Sequence, residues 1–402
     1  MDSARPVTRR GFLAGLAGTA ALAAGCSSSA GGSRSAASSA PPTVPAVHCP
    51  EGTGDALWAV AALRGLVYGS STATWQISDR SYRRLFAREA GMLFTEDDML
   101  WYRLRPHPGS KLDFSYADRI VDFAEREGML VFGAHLVWDE GYGDGWDQGD
   151  LYGMDADQAG SLLYGTIASL VGRFRGRVRA WSVANEVLDG SGLRSDVPWY
   201  QTIGSDYVAR AFHEAHRADP GAVLVLNDFG FEVDDDFALA ADKRRAALEL
   251  IDAFRHERVP IHALGVQAHL NAKTFYGFDP AAYRRFLSQV AARGLQIIVT
   301  ELDVMDDGLP ADPAQRDSAV ADVYARYLHA VLAEPAVRAV MTFGLSDRYT
   351  WLQEDYPRSD RAARRPLPFG DDLRPKPAYD AVHAMLAGAP RRALAWRPPR
   401  CA

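Results

Sequence analysis

The sequence predicts a (β/α)8 barrel, in which eight parallel strands form a ring and helices connect them. Apolar runs such as Val223–Leu226 and Ile297–Val299 are continuous rather than alternating, which is typical of parallel strands covered on both faces. Amphipathic stretches separate these runs, and strands that alternate with helices favour a closed barrel. The alternative is an open doubly wound sheet, but no glycine-rich phosphate loop follows any predicted strand.

Each predicted strand is a short run rich in apolar residues. In chain order the eight strands are Gly65–Ser70, Gly91–Thr95, Met129–Trp138, Val178–Glu186, Ala222–Asp228, Ala263–Leu270, Gln296–Val304 and Ala339–Asp347. Apolar residues at helical spacing predict helices over Tyr116–Arg126, Asp206–Arg217, Pro280–Arg293 and Asp317–Leu332. Asp279 is a good N-cap and Pro280 suits the first helical position, while Gly294 is a good stop.

Residues 1–26 are predicted to be an export signal rather than part of the fold. Thr8–Leu13 resembles a twin-arginine signal, and the apolar stretch after it is too short for a permanent transmembrane helix. Leu22–Cys26 resembles a lipoprotein processing box with Ala23 where leucine is usual, so Cys26 would carry the lipid. Ordinary cleavage after small residues is the alternative. We expect a periplasmic or cell-surface lipoprotein, otherwise a secreted protein, with no membrane contact beyond the lipid.

Residues 27–48 are rich in Ser, Ala, Gly and Pro and predict a flexible tether, which leaves residues 49–402 as one catalytic domain. Cys49 and Cys401 lie at the two ends of that domain. Because barrels bring their termini close together, we predict a disulfide between these cysteines in an oxidising compartment. Two unpaired thiols are the alternative.

The composition indicates a globular protein with a sizeable core, since 48% of the residues are hydrophobic and 24% are charged. The net charge is −7 without long charged runs, which argues against nucleic acid as the main partner. We expect a monomer. No cofactor is expected, and Asp97 and Asp139 are too few ligands to make a metal motif.

Polar and aromatic side chains stand near the carboxyl ends of seven predicted strands, which is where barrels carry catalytic groups. Glu186 ends the run Trp181–Glu186 and Glu301 lies in Ile298–Asp303. Two carboxylates facing one cleft are the machinery of glycosidases. The other polar groups of this rim are Glu96, Asp97, Asp139, Asn227, Asp228, Gln267, His269, Asp303 and Asp347, with Trp138 and Trp351 beside them.

Six runs of the chain, in order, resemble glycoside hydrolase family 10, the family of endo-β-1,4-xylanases. Trp181–Glu186 is similar to the acid/base motif W-D-V-V-N-E, and Val299–Asp303 to the nucleophile motif I-T-E-L-D. The resemblance extends from about Leu57 to Leu386. The other four runs resemble the family's fifth, sixth and eighth strands and the entry to its last helix: Leu226–Phe229, Val259–Leu270, Phe343–Trp351 and Leu373–Tyr379.

This resemblance implies a retaining glycosidase that cleaves β-1,4-linked xylan, or a related β-linked poly- or oligosaccharide, by double displacement. Glu301 would be the nucleophile and Glu186 the acid/base, while His269 would orient Glu301. Asn185 would bind the sugar 2-hydroxyl. Further sugar contacts are expected from Gln267, Glu96, Asp97, Asp139, Trp138, Phe343 and Trp351.

Departures from the family are concentrated on the glycone side of the cleft. The family's E-N-x-M-K-W corresponds to Glu96–Trp101, where Asp97 replaces a sugar-binding Asn and Leu100 replaces a sugar-binding Lys. Phe343 replaces a Trp and so removes an indole N–H donor. Asp97 could still bind sugar hydroxyls, because carboxylates are strong acceptors.

The family's G-H-T-L-V-W-H corresponds to Gly133–Asp139, with Ala134 and Asp139 in place of the two histidines. Asp139, like Asp97, could accept hydrogen bonds from sugar hydroxyls. His135 falls one place along the predicted strand. Since adjacent strand residues face opposite sides, we expect His135 to pack on the outer layer of the barrel.

These changes leave two classes of function open. One is a β-glycosidase acting on plain or decorated xylan or on a non-xylan substrate. The other is a catalytically weak or inactive surface protein that binds glycans. Retention of Glu186 and Glu301 favours the enzyme, whereas the lost subsite residues favour the binding protein somewhat.

Overall fold

The computed structural model describes residues 54–234 and 239–396. The predicted signal, the predicted tether and the three cysteines Cys26, Cys49 and Cys401 lie outside these residues. Export, lipidation and the disulfide therefore stay predictions. Within the described residues, no helix is both long and apolar enough to cross a membrane.

Eight parallel strands close into a ring, which confirms the predicted barrel and excludes the open sheet. In the described residues the strands are β1 (Val67–Thr72), β2 (Met92–Thr95), β3 (Leu130–Gly133), β4 (Ala180–Asn185), β5 (Val223–Asp228), β6 (Ala263–Val266), β7 (His269–Asn271), β8 (Gln296–Met305) and β9 (Val337–Thr342). Strands β1 to β6 pair in order. The ring closes because β6 pairs with β8, β8 with β9 and β9 with β1.

The strand ends differ from the prediction at three places. β3 ends at Gly133, well before Trp138, and β9 ends at Thr342 rather than Asp347. The predicted sixth strand is split, because Ala268 has a left-handed φ of 63° that no regular strand accommodates. The short strand β7 resumes after it and pairs with the carboxyl-terminal half of β8. The polar rim is therefore carried largely by loops and irregular backbone.

Helices cover the outside of the ring. In the described residues they are α1 (Leu57–Ala62), α2 (Arg80–Glu89), α3 (Trp101–Leu104), α4 (Ser115–Arg126), α5 (Gln148–Tyr152), α6 (Ala156–Arg173), α7 (Pro198–Ile203), α8 (Tyr207–Ala218), α9 (Ala240–His256), α10 (Pro280–Ala292), α11 (Pro313–Val331), α12 (Leu352–Asp355) and α13 (Pro377–Gly388). Asp279 caps α10 as predicted. α11 begins four residues earlier than predicted, because Asp312 caps it and Pro313 occupies its first position.

The core has two layers, which the alternation of strand side chains separates. Phe94, Phe132, Ala180 and Ile298 belong to a small apolar cluster within the ring. Trp181, next to Ala180, is fully buried in the larger cluster between strands and helices. This filled interior supports the rim from below, so chemistry is confined to the ends of the strands.

A buried ion cluster fastens the loop after β8. The Asp306 carboxylate is fully buried and accepts hydrogen bonds from Arg316 at 3.0 Å and Arg364 at 2.9 Å. The Arg358 guanidinium lies 3.6 Å from the same carboxylate. Since Arg316 is on α11 and the other two arginines follow α12, one carboxylate joins three separate segments.

Replacing Asp306 with Asn is expected to lower the free energy of unfolding by about 3–5 kcal/mol, because the buried guanidinium of Arg316 loses the counter-charge that lies 3.0 Å from it. Asp307 pairs with Arg364 at 2.8 Å, but its side chain is 35% exposed. Asp307→Asn is the matched control, with an expected loss below about 1 kcal/mol. Urea unfolding measures both, and equal losses would contradict the assignment.

Candidate active site

The two glutamates that the sequence singles out lie on one rim of the barrel and share a chain of amide side chains. Glu186 directly follows β4, while Glu301 is within β8, and the two are 7% and 1% exposed. The amide of Gln267 contacts Glu186, and the amide of Asn227 contacts Glu301. Both amides donate to Asn185, so the chain is continuous.

Neutral donors hold the Glu186 carboxyl group. The indole Nε1 of Trp138 donates to Oε2 at 3.0 Å, and Nε2 of Gln267 donates to Oε1 at 2.9 Å. Glu186 has a left-handed φ of 57°, which is uncommon for a residue with a side chain and is typical of functional sites. The backbone conformation and the two donors fix one direction for the carboxyl group. Trp138, which is predicted to contact the sugar, thus donates to Glu186.

A donor pair of different character holds Glu301. Nδ2 of Asn227 donates to Oε1 at 2.7 Å, and Nε2 of His269 lies 3.3 Å from Oε2. The other imidazole nitrogen lies 3.0 Å from Oδ1 of Asp303. Trp351 donates from its indole to the second oxygen of Asp303 at 2.7 Å. His269 thus contacts Glu301 through one ring nitrogen and Asp303 through the other.

The His269 imidazole is positively charged at neutral pH. Burial disfavours its protonation, but the charges and hydrogen bonds of Asp303 and Glu301 outweigh burial and raise the pKa of His269 to about 9. The imidazolium thus places a positive charge 3.3 Å from a carboxylate oxygen of Glu301. A nucleophilic carboxylate has to be ionised, so this arrangement suits Glu301 for attack.

This pKa predicts a pH-dependent contribution to stability. Because His269 titrates near 6.5 when unfolded and near 9 when folded, its contribution is complete below pH 6.5 and is lost as the pH rises through 9. The shift corresponds to about 3 kcal/mol. We expect the difference in unfolding free energy between the wild type and His269→Asn to shrink by that order between pH 6 and 10. Urea unfolding at each pH measures it, and a constant difference would contradict the charged imidazole.

Asn185 and Gln267 each keep one polar atom for a ligand. Both residues are 1% exposed, yet Nδ2 of Asn185 and Oε1 of Gln267 have no hydrogen-bond partner within the described part of the chain. Such atoms are costly to bury unless a ligand or water pairs with them. One donor and one acceptor beside both carboxylates match the hydroxyl groups of a sugar ring.

Asn227 is a site residue that the sequence reasoning noted only as part of the rim. Its Nδ2 donates to both Asn185 and Glu301, and its Oδ1 accepts from Thr300 at 2.7 Å. Gly265 on the neighbouring strand leaves the space for it, because a Cβ there would lie 2.3 Å from Oδ1. The position of Asn227 at a strand end was the available signal.

Glu96 and Asp97 directly follow β2, and each has protein partners. Glu96 accepts from Ser71 and from Gln76, both at 2.9 Å, and burial with the nearby Asp97 charge raises its pKa to about 7. Asp97 accepts from the Tyr102 hydroxyl at 2.6 Å. Its other carboxylate oxygen is buried and has no partner among the described residues. That oxygen is the available acceptor for a sugar.

His135 does not pack on the outer layer, so that prediction is wrong. Its Nδ1 lies 2.8 Å from the Ser182 hydroxyl, and its ring contacts Phe94 and Trp138 at centroid distances of 5.7 and 5.4 Å. Phe94 belongs to the cluster inside the ring. Because β3 ends at Gly133, strand alternation does not reach His135, and the ring faces inward.

Asp139 forms an ion pair rather than presenting two vacant oxygens. Oδ2 of Asp139 lies 2.9 Å from the Arg194 guanidinium, and the aspartate side chain is only 9% exposed. Arg194 is the second site residue that the sequence reasoning missed. It lies in a loop with no periodic pattern, and its partner is distant in the sequence.

Phe343 and Trp351 form an aromatic wall that packs against His269. Their ring centroids lie 5.4 and 5.1 Å from that of His269. Both side chains are partly exposed. Phe343 keeps the apolar surface of the tryptophan that the family resemblance places there.

Asp228 and Asp347, two further carboxylates of the rim, each form an ion pair. Asp228 pairs with Lys243 at 2.7 Å in full burial, and Asp347 pairs with Lys376 at 2.7 Å. Across the described ranges, no group of three or more His, Cys, Asp or Glu residues is arranged to hold a metal ion.

The chain matches the sequence family described as "Glycosyl hydrolase family 10" over residues 56–385. The protein belongs to glycoside hydrolase family 10. Endo-1,4-beta-xylanase B of Thermotoga neapolitana is 30% identical over 315 residues, which are 78% of this chain and 85% of that protein.

Two solved structures of family 10 proteins resemble this glycoside hydrolase. Native xylanase 10B from Thermotoga maritima has a TM-score of 0.73 and 29% identity, covering 82% of this chain and 98% of that one. Xylanase 10B from Thermotoga petrophila, solved in complex with xylobiose, has a TM-score of 0.73 and 28% identity, covering 82% and 97%. This protein is thus an endo-xylanase-like glycoside hydrolase.

Proposed function

We propose that this family 10 enzyme hydrolyses β-1,4-linked xylan, or a closely related β-glycan, with retention of anomeric configuration. The observation that carries the proposal is the contrast between the two carboxyl groups. Glu301 contacts a cationic imidazole, whereas Glu186 is held by the neutral donors of Trp138 and Gln267. Contrasting environments suit two carboxyl groups to different roles.

The reaction would proceed in two steps. Glu301 attacks the anomeric carbon while Glu186 gives its proton to the leaving oxygen, and a covalent glycosyl-enzyme forms. Glu186 then takes a proton from water, which attacks the same carbon and releases Glu301. The vacant amide donor of Asn185 lies beside both carboxyl groups and suits the 2-hydroxyl, whose hydrogen bond strengthens as oxocarbenium character develops.

The substrate proposal rests on the relatives and on the aromatic wall. The two relatives from T. neapolitana and T. maritima are named xylanases, and the T. petrophila enzyme was solved with xylobiose. Phe343 and Trp351 offer faces to a pyranose ring next to His269. On the glycone side, Leu100 replaces a cationic contact, so recognition there would depend on hydroxyl groups that donate to Asp97 and Glu96.

Turnover of aryl β-glycosides tests the proposal. The panel comprises xyloside, xylobioside, glucoside, cellobioside and arabinoside, with Glu301→Gln beside the wild type. We expect release from the xylobioside above all others, and ¹H NMR should show the β anomer as the first product. An initial α anomer would exclude retention, and preference for cellobioside would move the substrate to a β-glucan.

The glycan-binding alternative is not favoured, because both carboxyl groups have the positions and partners that catalysis needs. The same panel tests it. Oligosaccharide binding measured by calorimetry, without turnover of any glycoside, would support a binding protein instead.

We also propose that the protein is an exported monomer. The twin-arginine pattern at Thr8–Leu13 and the processing pattern at Leu22–Cys26 support export with a lipid on Cys26. Labelled palmitate should enter the wild type but not Cys26→Ser. Light scattering of the mature domain tests the monomer, and non-reducing mass spectrometry tests the Cys49–Cys401 disulfide.

A further inference from the structure

Arg194 lies at the end of a loop that turns back onto its own start. Its backbone N–H donates to the Val187 carbonyl at 2.8 Å, and Leu188 pairs with Leu193 across the loop. Asp228 accepts from the Leu188 N–H at 3.0 Å, and Lys243 donates to the Leu188 carbonyl at 2.7 Å. The loop is therefore fixed, and it holds the Arg194 guanidinium beside Glu186, which directly follows β4.

The guanidinium joins two groups of the site. Nη1 donates to the backbone carbonyl of Glu186 at 3.2 Å, and Nη2 lies 2.9 Å from Oδ2 of Asp139. Nη1 also donates to Oδ1 of Asp139 at 3.3 Å, so the aspartate is held through both oxygens. The arginine also reaches Asp196, whose side chain is 73% exposed. Of the two aspartates that Arg194 contacts, Asp139 has the far less exposed side chain, so Asp139 is the effective counter-charge.

We propose that Arg194 is a positioning residue for the acid/base Glu186. We also propose that Asp139 neutralises the positive charge of Arg194, so that the carboxyl group of Glu186 can still donate its proton. The inference rests on the proposed function. Glu186 has a left-handed backbone conformation, and a hydrogen bond to its carbonyl group is needed to hold it. The planar guanidinium of Arg194 donates that hydrogen bond. This pair occupies the place where the family resemblance puts a histidine at position 139.

Both charges are needed because each alone would move the acid's pKa. An unpaired guanidinium near Glu186 would favour its carboxylate over its protonated form. An unpaired Asp139 would do the opposite, since these two carboxyl groups repel. Burial raises the pKa of Asp139 to about 6, and the nearby Glu186 charge adds to that rise although Arg194 opposes it.

Other charged groups surround Glu186 and remain unchanged by substitutions at positions 139 and 194. The Asp228–Lys243 pair lies at the end of β5 and on α9, and the charge of Glu186 acts on Asp228. The other charged groups of the site are on β7 and β8, and they are His269, Glu301 and Asp303. A substitution at Asp139 or Arg194 therefore changes one charge near Glu186 and leaves these other charges in place.

The test titrates Glu186 directly by ¹³C NMR of labelled glutamate carboxyls, assigned with Glu186→Gln. In Asp139→Asn we expect the pKa of Glu186 to fall by about 0.5–1 unit, and in Arg194→Gln to rise by a similar amount. The double variant should return close to the wild-type value, because both charges are gone. Arg194→Lys keeps the charge and should show no comparable rise.

Kinetics on two leaving groups test positioning. Dinitrophenyl leaves without much help from an acid, whereas phenyl requires a correctly placed proton donor. We expect Arg194→Lys and the double variant to lose about 10-fold or more with the phenyl glycoside and under about 3-fold with the dinitrophenyl glycoside. Equal losses of activity on the phenyl and dinitrophenyl glycosides would show that Arg194 has a merely structural role, and would overturn its assignment as a positioning residue.

The outcomes separate the inference from the proposed function. Glu186 pKa values that stay unchanged, or that shift in the same direction in both single variants, would overturn the inference whether or not the enzyme acts on xylosides. Absence of wild-type turnover would overturn the proposed function, while the NMR titration would still test the charge balance. Circular dichroism and urea unfolding confirm that each variant is folded before either measurement.

Discussion

Glu301→Gln is expected to lower kcat by about 10⁴-fold or more on every glycoside that the wild type cleaves, because no other group can form the glycosyl-enzyme. Glutamine keeps the size of the side chain but removes the negative charge that the His269 imidazolium faces. Stopped-assay kinetics on the xylobioside give the ratio, and mass spectrometry should find no covalent intermediate in the variant.

The control for this prediction is Glu249→Gln. Glu249 lies on α9, its side chain is 61% exposed, and its one ion pair within the described residues is with Arg245 of the same helix. We expect kcat to remain at the wild-type value in this variant. A residual activity of more than about 1% in Glu301→Gln would remove Glu301 from the role of nucleophile.

Glu186→Ala is expected to lower kcat by about 10²–10⁴-fold on the phenyl glycoside, since the leaving oxygen then departs without a proton. The loss in kcat/KM should be much smaller with dinitrophenyl, because that group needs little protonation. Azide should restore turnover by attacking the glycosyl-enzyme where Glu186 no longer activates water. The product should be a glycosyl azide with the anomeric configuration of the substrate.

This pattern separates an acid/base residue from a substrate-binding residue. Loss of a binding contact would lower activity on both glycosides alike and would leave azide without effect. An azide product of inverted configuration would show that no glycosyl-enzyme had formed. Gln267→Ala serves as comparison, because it removes one donor to Glu186 but keeps the carboxyl group, and its loss should be smaller.

The placement of the two glutamates on one rim could be predicted from the sequence, because each one ends a local pattern. Glu186 and Glu301 stand at the ends of apolar runs that form strands, and strand ends of a barrel meet on one rim. The parallel barrel followed from the same runs. The helix boundaries at Asp279 and Gly294 were predictable because capping chemistry is local, and Gly294 adopts the left-handed φ of 84° that favours glycine.

The rest of the site depends on contacts that no local pattern encodes. His135 was misplaced because strand alternation was extended past Gly133, where the strand ends. The pair of Asp139 and Arg194 joins residues 55 positions apart. Asn227 carried a signal as a polar strand end, but its role as a bridge between Asn185 and Glu301 required the packing of β5 against β4 and β6.

The ion cluster at Asp306 bears on how this enzyme selects its sugar. Arg364, which Asp306 binds, also donates to the Tyr356 carbonyl, and the Tyr356 ring packs edge-on against Trp351 at 5.4 Å. The aromatic wall of the cleft is thus braced before any substrate arrives. Side chains that are already held in place lose little conformational freedom when a sugar ring packs on them, and they do not move to fit a sugar ring of another shape. Discrimination among sugars then acts by exclusion, so widening the substrate range by directed evolution should begin with this brace rather than with the residues that touch the sugar.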